Sequence, residues 1–152
     1  VIGGKTKGAG RQGWMYQEIL DRPKQLGIED RVIFTGFAPT EELPYLMSGA
    51  LAYVLPSLYE GFGIPVVEAM ACGTPVIVSK VSSLPEVVGS AGIQVDPTSI
   101  DQIEHALRLM ATDQKLRQKL SKLGLEQVKQ FNWQKMARQV LKVLQEVAVE
   151  HK

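Results

Sequence analysis

Glu60 and Glu68 stand eight positions apart in "SLYEGFGIPVVEAMACGTP", residues 57–75, on either side of a Gly-Phe-Gly turn and a proline in an otherwise apolar run. Two carboxylates at one spacing suggest three kinds of chemistry. They could serve as the acid and nucleophile of a glycosidase, although a sequence offset cannot establish the distance those roles require. They could receive hydrogen bonds from a hydroxyl-rich ligand such as a sugar or a ribose, because an ionised carboxylate is an acceptor only. Or Glu68 could simply stabilise its own helix, since negative charge near a helix start is favoured by the dipole.

The residues between them separate the pair. One helix over 60–68 would leave the carboxylates on nearby faces, roughly 12 Å apart along the axis. Gly61 and Gly63 are poor helix formers, however, and Pro65 is well tolerated only in a first turn, so the helix is predicted to begin near Ile64 or Pro65 and to end before Gly73. Glu60 then belongs to a loop and Glu68 to the early turns of a helix. The backbone N–H groups of Gly61, Phe62, Gly63 and Ile64 are left without intrahelical partners, and small residues let a ligand approach them. Assisted by the helix dipole, they are donors for hydroxyl or phosphate oxygens. The loop thus offers both donors and acceptors to a sugar nucleotide.

Other chemistry-bearing residues are fewer. Lys5, Lys7 and Arg11 in "GGKTKGAGRQG" are candidates for approaching phosphates, with a solvated basic loop as the alternative. A P-loop is rejected for "GGKT": its first glycine would precede this chain, and Val1 and Ile2 already read as strand. Cys72 is the single cysteine, so neither an internal disulfide nor a multi-cysteine zinc site can form within this chain, and a small core thiol is expected. His105 and His151 read as surface residues, and no convincing set of metal ligands is seen.

The elements that must position the glutamates follow from periodicity. Short β-rich runs at 1–4, 31–36, 51–56, 75–79 and 92–97 each end at or beside Gly, Pro or Ser. Helical patterns lie between them: 13–28, which Pro23 should end or kink, and 40–50, with Thr40 as N-cap and Leu43, Leu46 and Met47 on one face. Beyond Ser99 the pattern is helix alone. One stripe comprises Ile100, Ile103, Ala106, Leu107 and Met110, and a second Leu116, Leu120 and Leu123. A last segment starts at Asn132 as N-cap and is expected to bury Met136, Val140, Leu141 and Leu144. Alternation of strands and helices predicts an α/β fold with a doubly wound parallel sheet and C-terminal helices. Ligands of such sheets bind beyond the carboxyl ends of the strands, where the Glu60 loop falls.

At 152 residues, with 45% hydrophobic and 22% charged residues, the chain has the composition of a globular domain. A net charge of +1 predicts no general attraction to nucleic acid. No apolar run approaches the roughly 20 residues of a membrane span. The chain opens within a strand, with no signal-peptide pattern, and reads as cut from a longer polypeptide.

Around both glutamates the sequence resembles the group 1, or family 4, glycosyltransferases, retaining sugar-nucleotide enzymes of GT-B fold. Their Glu-x7-Glu pattern is matched by Glu60 and Glu68 within "PSLYEGFGIPVVEAMACGTPVIVS", and "VIFTGFAP", "SSLPEVVGSAG" and "VDP" match further segments. The resemblance covers nearly the whole chain and implies that residues 1–152 are the C-terminal, donor-binding domain, a Rossmann-like half, with the N-terminal acceptor domain absent. It implies that Glu60 faces the hydroxyls of the transferred sugar and that the amides of Gly61, Phe62, Gly63 and Ile64 contact sugar or phosphate. Glu68 would hold the ribose, and Gly36 and Phe37 would border the nucleobase; Phe37 as a core residue is the alternative. The family needs no obligatory metal, and no cofactor is expected. An Arg and a Lys for the departing diphosphate usually come from a βα unit upstream of "VIGG", which this chain lacks.

Ser82 and Ser83 stand where many relatives have glycines, and Ser90 where an acidic residue is common. The Ser-Ser-Leu-Pro version resembles members that transfer mannose or related deoxyhexoses from GDP-sugars; GDP and UDP donors both stay open. Trp133 resembles the start of a final helix crossing back to the N-terminal half, with a local core anchor as the alternative. The expected protein is a cytoplasmic hexosyltransferase, with membrane association through the missing half left open and the isolated fragment inactive. The competing reading is a sugar-nucleotide binding or regulatory module without catalysis. A receiver-like signalling domain is disfavoured, because "GGKTKGAG" lacks an acidic cluster.

Overall fold

Val76–Ser79 is buried at every position, which explains why "VIV" runs apolar without a break before Ser79: a strand covered on both faces does not alternate with polar residues. In the computed structural model, which describes residues 1–4 and 16–150, this is the central strand of a parallel sheet. The chain separates into two units, Val1–Leu43 and Pro44–Lys152.

The first unit holds strands β1 (Ile2–Gly3) and β2 (Phe34–Gly36), paired in parallel, and helix α1 (Tyr16–Gln25). Only the second half of the predicted 31–36 strand forms, because Glu29–Arg31 is a 3-10 turn. Pro23 neither begins nor immediately ends α1. It is buried in the last turn, and the helix continues to Gln25, where Gly27 at φ 64 lets the chain turn back and donate to Lys24 O.

In the second unit β3 (Tyr53–Leu55), β4 (Val76–Ser79) and β5 (Gly92–Val95) pair in parallel in the order β3-β4-β5. Helices lie on both faces, as expected for double winding. Val76 and Val78 pack with Val66, Ala69 and Met70 of α3 (Ile64–Ala71) and with Leu84, Val87 and Val88 of α4 (Leu84–Val88). Ile77 points the other way, toward Ala106 and Met110 of α5 (Ile100–Thr112) and Leu120 of α6 (Gln114–Gln127). Each fully buried large aliphatic side chain contributes about 1.5–3 kcal/mol, so the sheet is the stable frame beneath its loops.

Four expectations need correction. Residues 40–42 form a turn and α2 (Leu43–Ser48) starts later than Thr40, which places Pro44 in the first turn, where its missing N–H costs nothing. The inward stripe of α5 is Ile103, Ala106 and Met110; Ile100 and Leu107 are 81% and 45% exposed because they lie on its flank, roughly 70–90° round from the centre of the stripe. Asn132 does cap α7 (Trp133–Glu150), its Oδ1 accepting from the Gln134 and Lys135 amides. Yet Met136, Val140, Leu141 and Leu144 are all exposed, since no element among the described residues covers that face. Trp133, 72% exposed, is no local core anchor. No helix among the described residues is long and apolar enough to cross a membrane.

Candidate functional site

The loop from β3 to α3 starts at Pro56, where β3 ends, and closes at Gly63, the N-cap of α3. Gly63 has φ 90, and an added Cβ would lie 2.6 Å from Leu84 Cδ2. Both constraints require glycine: the left-handed backbone disfavours any side chain, and buried Leu84 leaves no room for one. Ile64 and Pro65 then open α3, as predicted, and Glu68 lies one turn further on, exposed at the surface.

Among the described residues, the amides of Gly61, Phe62, Gly63 and Ile64 donate to no protein acceptor; the first amide of this turn to find one is Val66, on Gly63 O. Gly61 has open space around it, and Phe62 stacks edge-on against Phe131 at 5.7 Å. The turn therefore leaves a cluster of backbone donors without protein acceptors, with Gly61, Phe62 and Ile64 exposed and Gly63 buried.

Glu60 is half-buried and fastened on three sides. Ser57 Oγ donates to Glu60 Oε1 at 2.8 Å. Ser82 Oγ accepts from the Glu60 amide at 3.3 Å and donates to the Glu60 carbonyl, which also receives a hydrogen bond from Ser83 Oγ at 3.0 Å. Ser82 is the one described non-glycine residue with positive φ, 61°, a conformation that costs about 1–2 kcal/mol for an L-residue. No partner is found among the described residues for Glu60 Oε2 or for the Glu68 carboxylate. Burial, followed by the negative charges of Glu60 and Glu68, pushes the Tyr53 hydroxyl above its ordinary value, so both carboxylates act on the same part of β3.

Glu68 borders a groove of about 400 Å³ between α3 and the start of α7, with Phe62, Ile64, Val67, Trp133 and Met136 supplying much of its wall. The structure thus brings Glu60, Gly61, Phe62, Gly63, Ile64 and Glu68 into one loop and helix start. Gly36 and Phe37 belong to the first unit. Gly36 ends β2 at φ 66 and its carbonyl accepts from Gly4, while Phe37 is 79% exposed, which excludes the core alternative for its ring within that unit. Lys5, Lys7 and Arg11 lie outside the described residues. Cys72 caps α3 and packs against the core, and His105 is exposed.

Two sets of residues were not read from the sequence as part of the site. Ser57, Ser82 and Ser83 hold Glu60, and Phe131, Trp133 and Met136 wall the groove beside Glu68. Ser82 and Ser83 were visible only as departures from glycine; nothing local ties them to a residue 22 or 23 positions earlier.

Comparison with known proteins bears on the arrangement. The profile of the family described as "Glycosyl transferases group 1" matches residues 1–127. The O-antigen chain mannosyltransferase B of Escherichia coli is 40% identical over 133 residues, covering 88% of this chain and 35% of that protein. An MMP alpha-(1->4)-mannosyltransferase of Mycolicibacterium hassiacum is 40% identical over 123 residues, 78% of this chain and 30% of its own length. The chain thus spans about a third of the length of these two curated relatives. Among solved structures, sucrose-phosphate synthase from Thermosynechococcus elongatus superimposes with a TM-score of 0.87 at 32% identity, over 97% of this chain and 38% of that one. Anabaena HepE in complex with UDP-glucose does so with a TM-score of 0.80 at 26% identity, over 95% and 40%. A family match over most of the chain, a span that includes the loop and helix presenting the two glutamates, gives one conclusion: this chain belongs to the group 1 glycosyl transferases.

Proposed function

We propose that the chain is the donor-binding domain of a retaining glycosyltransferase that moves a sugar from a nucleoside diphosphate sugar to an acceptor. The observation that carries this reading is the combination, in one loop and helix start, of an open carboxylate oxygen on Glu60, four unengaged backbone donors at 61–64, and the exposed carboxylate of Glu68. In this reading Glu60 accepts hydrogen bonds from the transferred sugar and stabilises charge as the glycosidic bond breaks. The amides of Gly61, Phe62, Gly63 and Ile64 take the phosphate or sugar oxygens, and the α3 dipole favours the negative charge that accumulates on the leaving diphosphate. Glu68 receives the ribose hydroxyls. For Gly36 and Phe37 the reading is a nucleobase border, supported by the exposed ring of Phe37; for Lys5, Lys7 and Arg11 it is an approach to the phosphates.

The donor in this reading is a GDP- or UDP-sugar: the names of the two mannosyltransferase relatives support a mannose-type sugar, and the UDP-glucose in the HepE complex supports a UDP donor. That the chain spans about a third of its relatives supports an acceptor-binding domain elsewhere in the same polypeptide, without which residues 1–152 would bind donor weakly and not turn over. Transfer by the complete polypeptide carrying this chain, assayed with GDP-mannose and UDP-glucose, tests the reading. Glu60→Gln should lower kcat and Glu68→Gln should raise the donor KM. Wild-type kinetics in both variants would overturn the roles assigned, and calorimetric binding of a donor without any transfer would instead identify a binding module.

A further inference from the structure

Glu60 is held less by its own neighbours than by the loop that leads from β4 into α4. Ser82 Oγ bridges both sides of the residue, accepting from its N–H and donating to its C=O, and Ser83 Oγ adds a second donor to the same carbonyl. A hydroxyl has one proton to give and lone pairs to receive with, so the two Ser82 bonds are mutually consistent. Ser57 then fixes one carboxylate oxygen and leaves Oε2 open. Both peptide groups flanking the Glu60 Cα, and half of its carboxylate, are thereby restrained.

Ser82 is also the one described non-glycine residue held at a positive φ. At φ 61 a glycine would be the unstrained choice, and it would carry no hydroxyl. A serine here accepts backbone strain and supplies a hydroxyl that engages both the N–H and the C=O of Glu60. Strain retained beside a functional loop is a sign of positioning.

We propose that Ser82, assisted by Ser83 and Ser57, is a positioning residue that sets the direction of the Glu60 carboxylate toward the reacting sugar. The inference rests on the donor-binding reading above and adds to it the residues that aim the acid. The hydroxyl is its instrument, and the strained backbone follows from placing a serine where that hydroxyl can reach both peptide groups.

The test uses the complete polypeptide carrying this chain, with Ser82→Gly, Ser82→Ala and Ser83→Ala compared in three measurements. Ser82→Gly suits the backbone and removes the hydroxyl, so it should fold at least as stably as the natural protein. It should speed hydrogen exchange at the Glu60 amide by about tenfold, through loss of local protection. It should also lower kcat by about 10- to 100-fold, with donor KM changed by less than about threefold, as expected when a reacting group is misdirected and binding contacts stay intact. Ser82→Ala keeps the strain and loses the hydroxyl: less stable than Ser82→Gly, it should match its kinetic defect, and Ser83→Ala should show a smaller one. In a Glu60→Gln background Ser82→Gly should add nothing further. Natural kcat and natural exchange in Ser82→Gly would overturn the proposal while leaving the donor-binding reading intact. Faster exchange combined with a Glu60→Gln variant that transfers at the natural rate would overturn both, showing that the serines hold a loop with no catalytic charge.

Discussion

Two acidic loops leave the carboxyl ends of the same three-stranded sheet, and they use their carboxylates in opposite ways. After β5, Asp96 is consumed by its own turn. Its Oδ1 accepts from the Thr98 amide at 3.0 Å and the Thr98 hydroxyl at 2.6 Å, its Oδ2 pairs with Lys80 at 3.1 Å, and its amide donates to Gln102. These bonds from Thr98 and then Lys80 hold its carboxyl down to about 2. After β3, Glu60 is restrained through its backbone by serines of another loop, and one carboxylate oxygen is left open beside undonated amides. An acid that satisfies itself locally builds a turn, whereas an acid held by its peptide groups keeps its charge for something else. Position at the carboxyl end of a strand therefore does not identify a site. The accounting of donors and acceptors is what separates the two loops.

The comparison breaks most visibly in transfer by the complete polypeptide. Glu60→Gln should cost about 10²- to 10³-fold in kcat if it stabilises developing charge, whereas Asp96→Asn should stay within about twofold. Equal losses would erase the distinction between the two loops. Next in size is Gly63→Ala, which combines a forbidden φ with a 2.6 Å approach to Leu84 and should destabilise by about 3 kcal/mol in denaturant unfolding. Gly61→Ala, with open space and no positive φ, should cost less than about 1 kcal/mol and serves as the control.

A smaller effect concerns acid. Because the folded carboxyl of Asp96 lies at about 2 against an ordinary 3.8, its stabilisation is present above 3.8 and is lost as pH falls toward about 2. Unfolding midpoints measured across that window should fall more steeply for the natural protein than for Asp96→Asn; parallel curves would show that the turn contributes no linkage. Smallest is Ser79, at the end of β4 between the two loops, whose hydroxyl is fully buried with no partner among the described residues. Ser79→Ala should leave stability unchanged or raise it by up to about 1 kcal/mol, and a clear loss would reveal an unseen partner.

Several elements were legible before the structure because their causes are local. Pro65 two residues past Gly63 marks the start of α3, Asn132 marks the start of α7, and the unbroken apolarity of Val76–Val78 marks a strand covered on both faces. Apolar periodicity was less informative about burial. The stripes of α5 and α7 were read from the same pattern, yet Met110 is buried and Val140 is exposed, since a pattern says which face is apolar and not whether anything covers it.

For this protein, the order of residues alone determined that Glu60 would lie in a loop and Glu68 on a helix, because glycine and proline act on the backbone within a few positions. It also determined the family, through a run of motifs around those residues. Only the tertiary structure decided how Glu60 is held. Its backbone restraints come from Ser82 and Ser83, 22 and 23 positions away, and the folding of β3 and β4 side by side is what brings those hydroxyls within hydrogen-bonding distance. A hydrogen bond depends on distance and direction in space, and neither is encoded at either end of the pair.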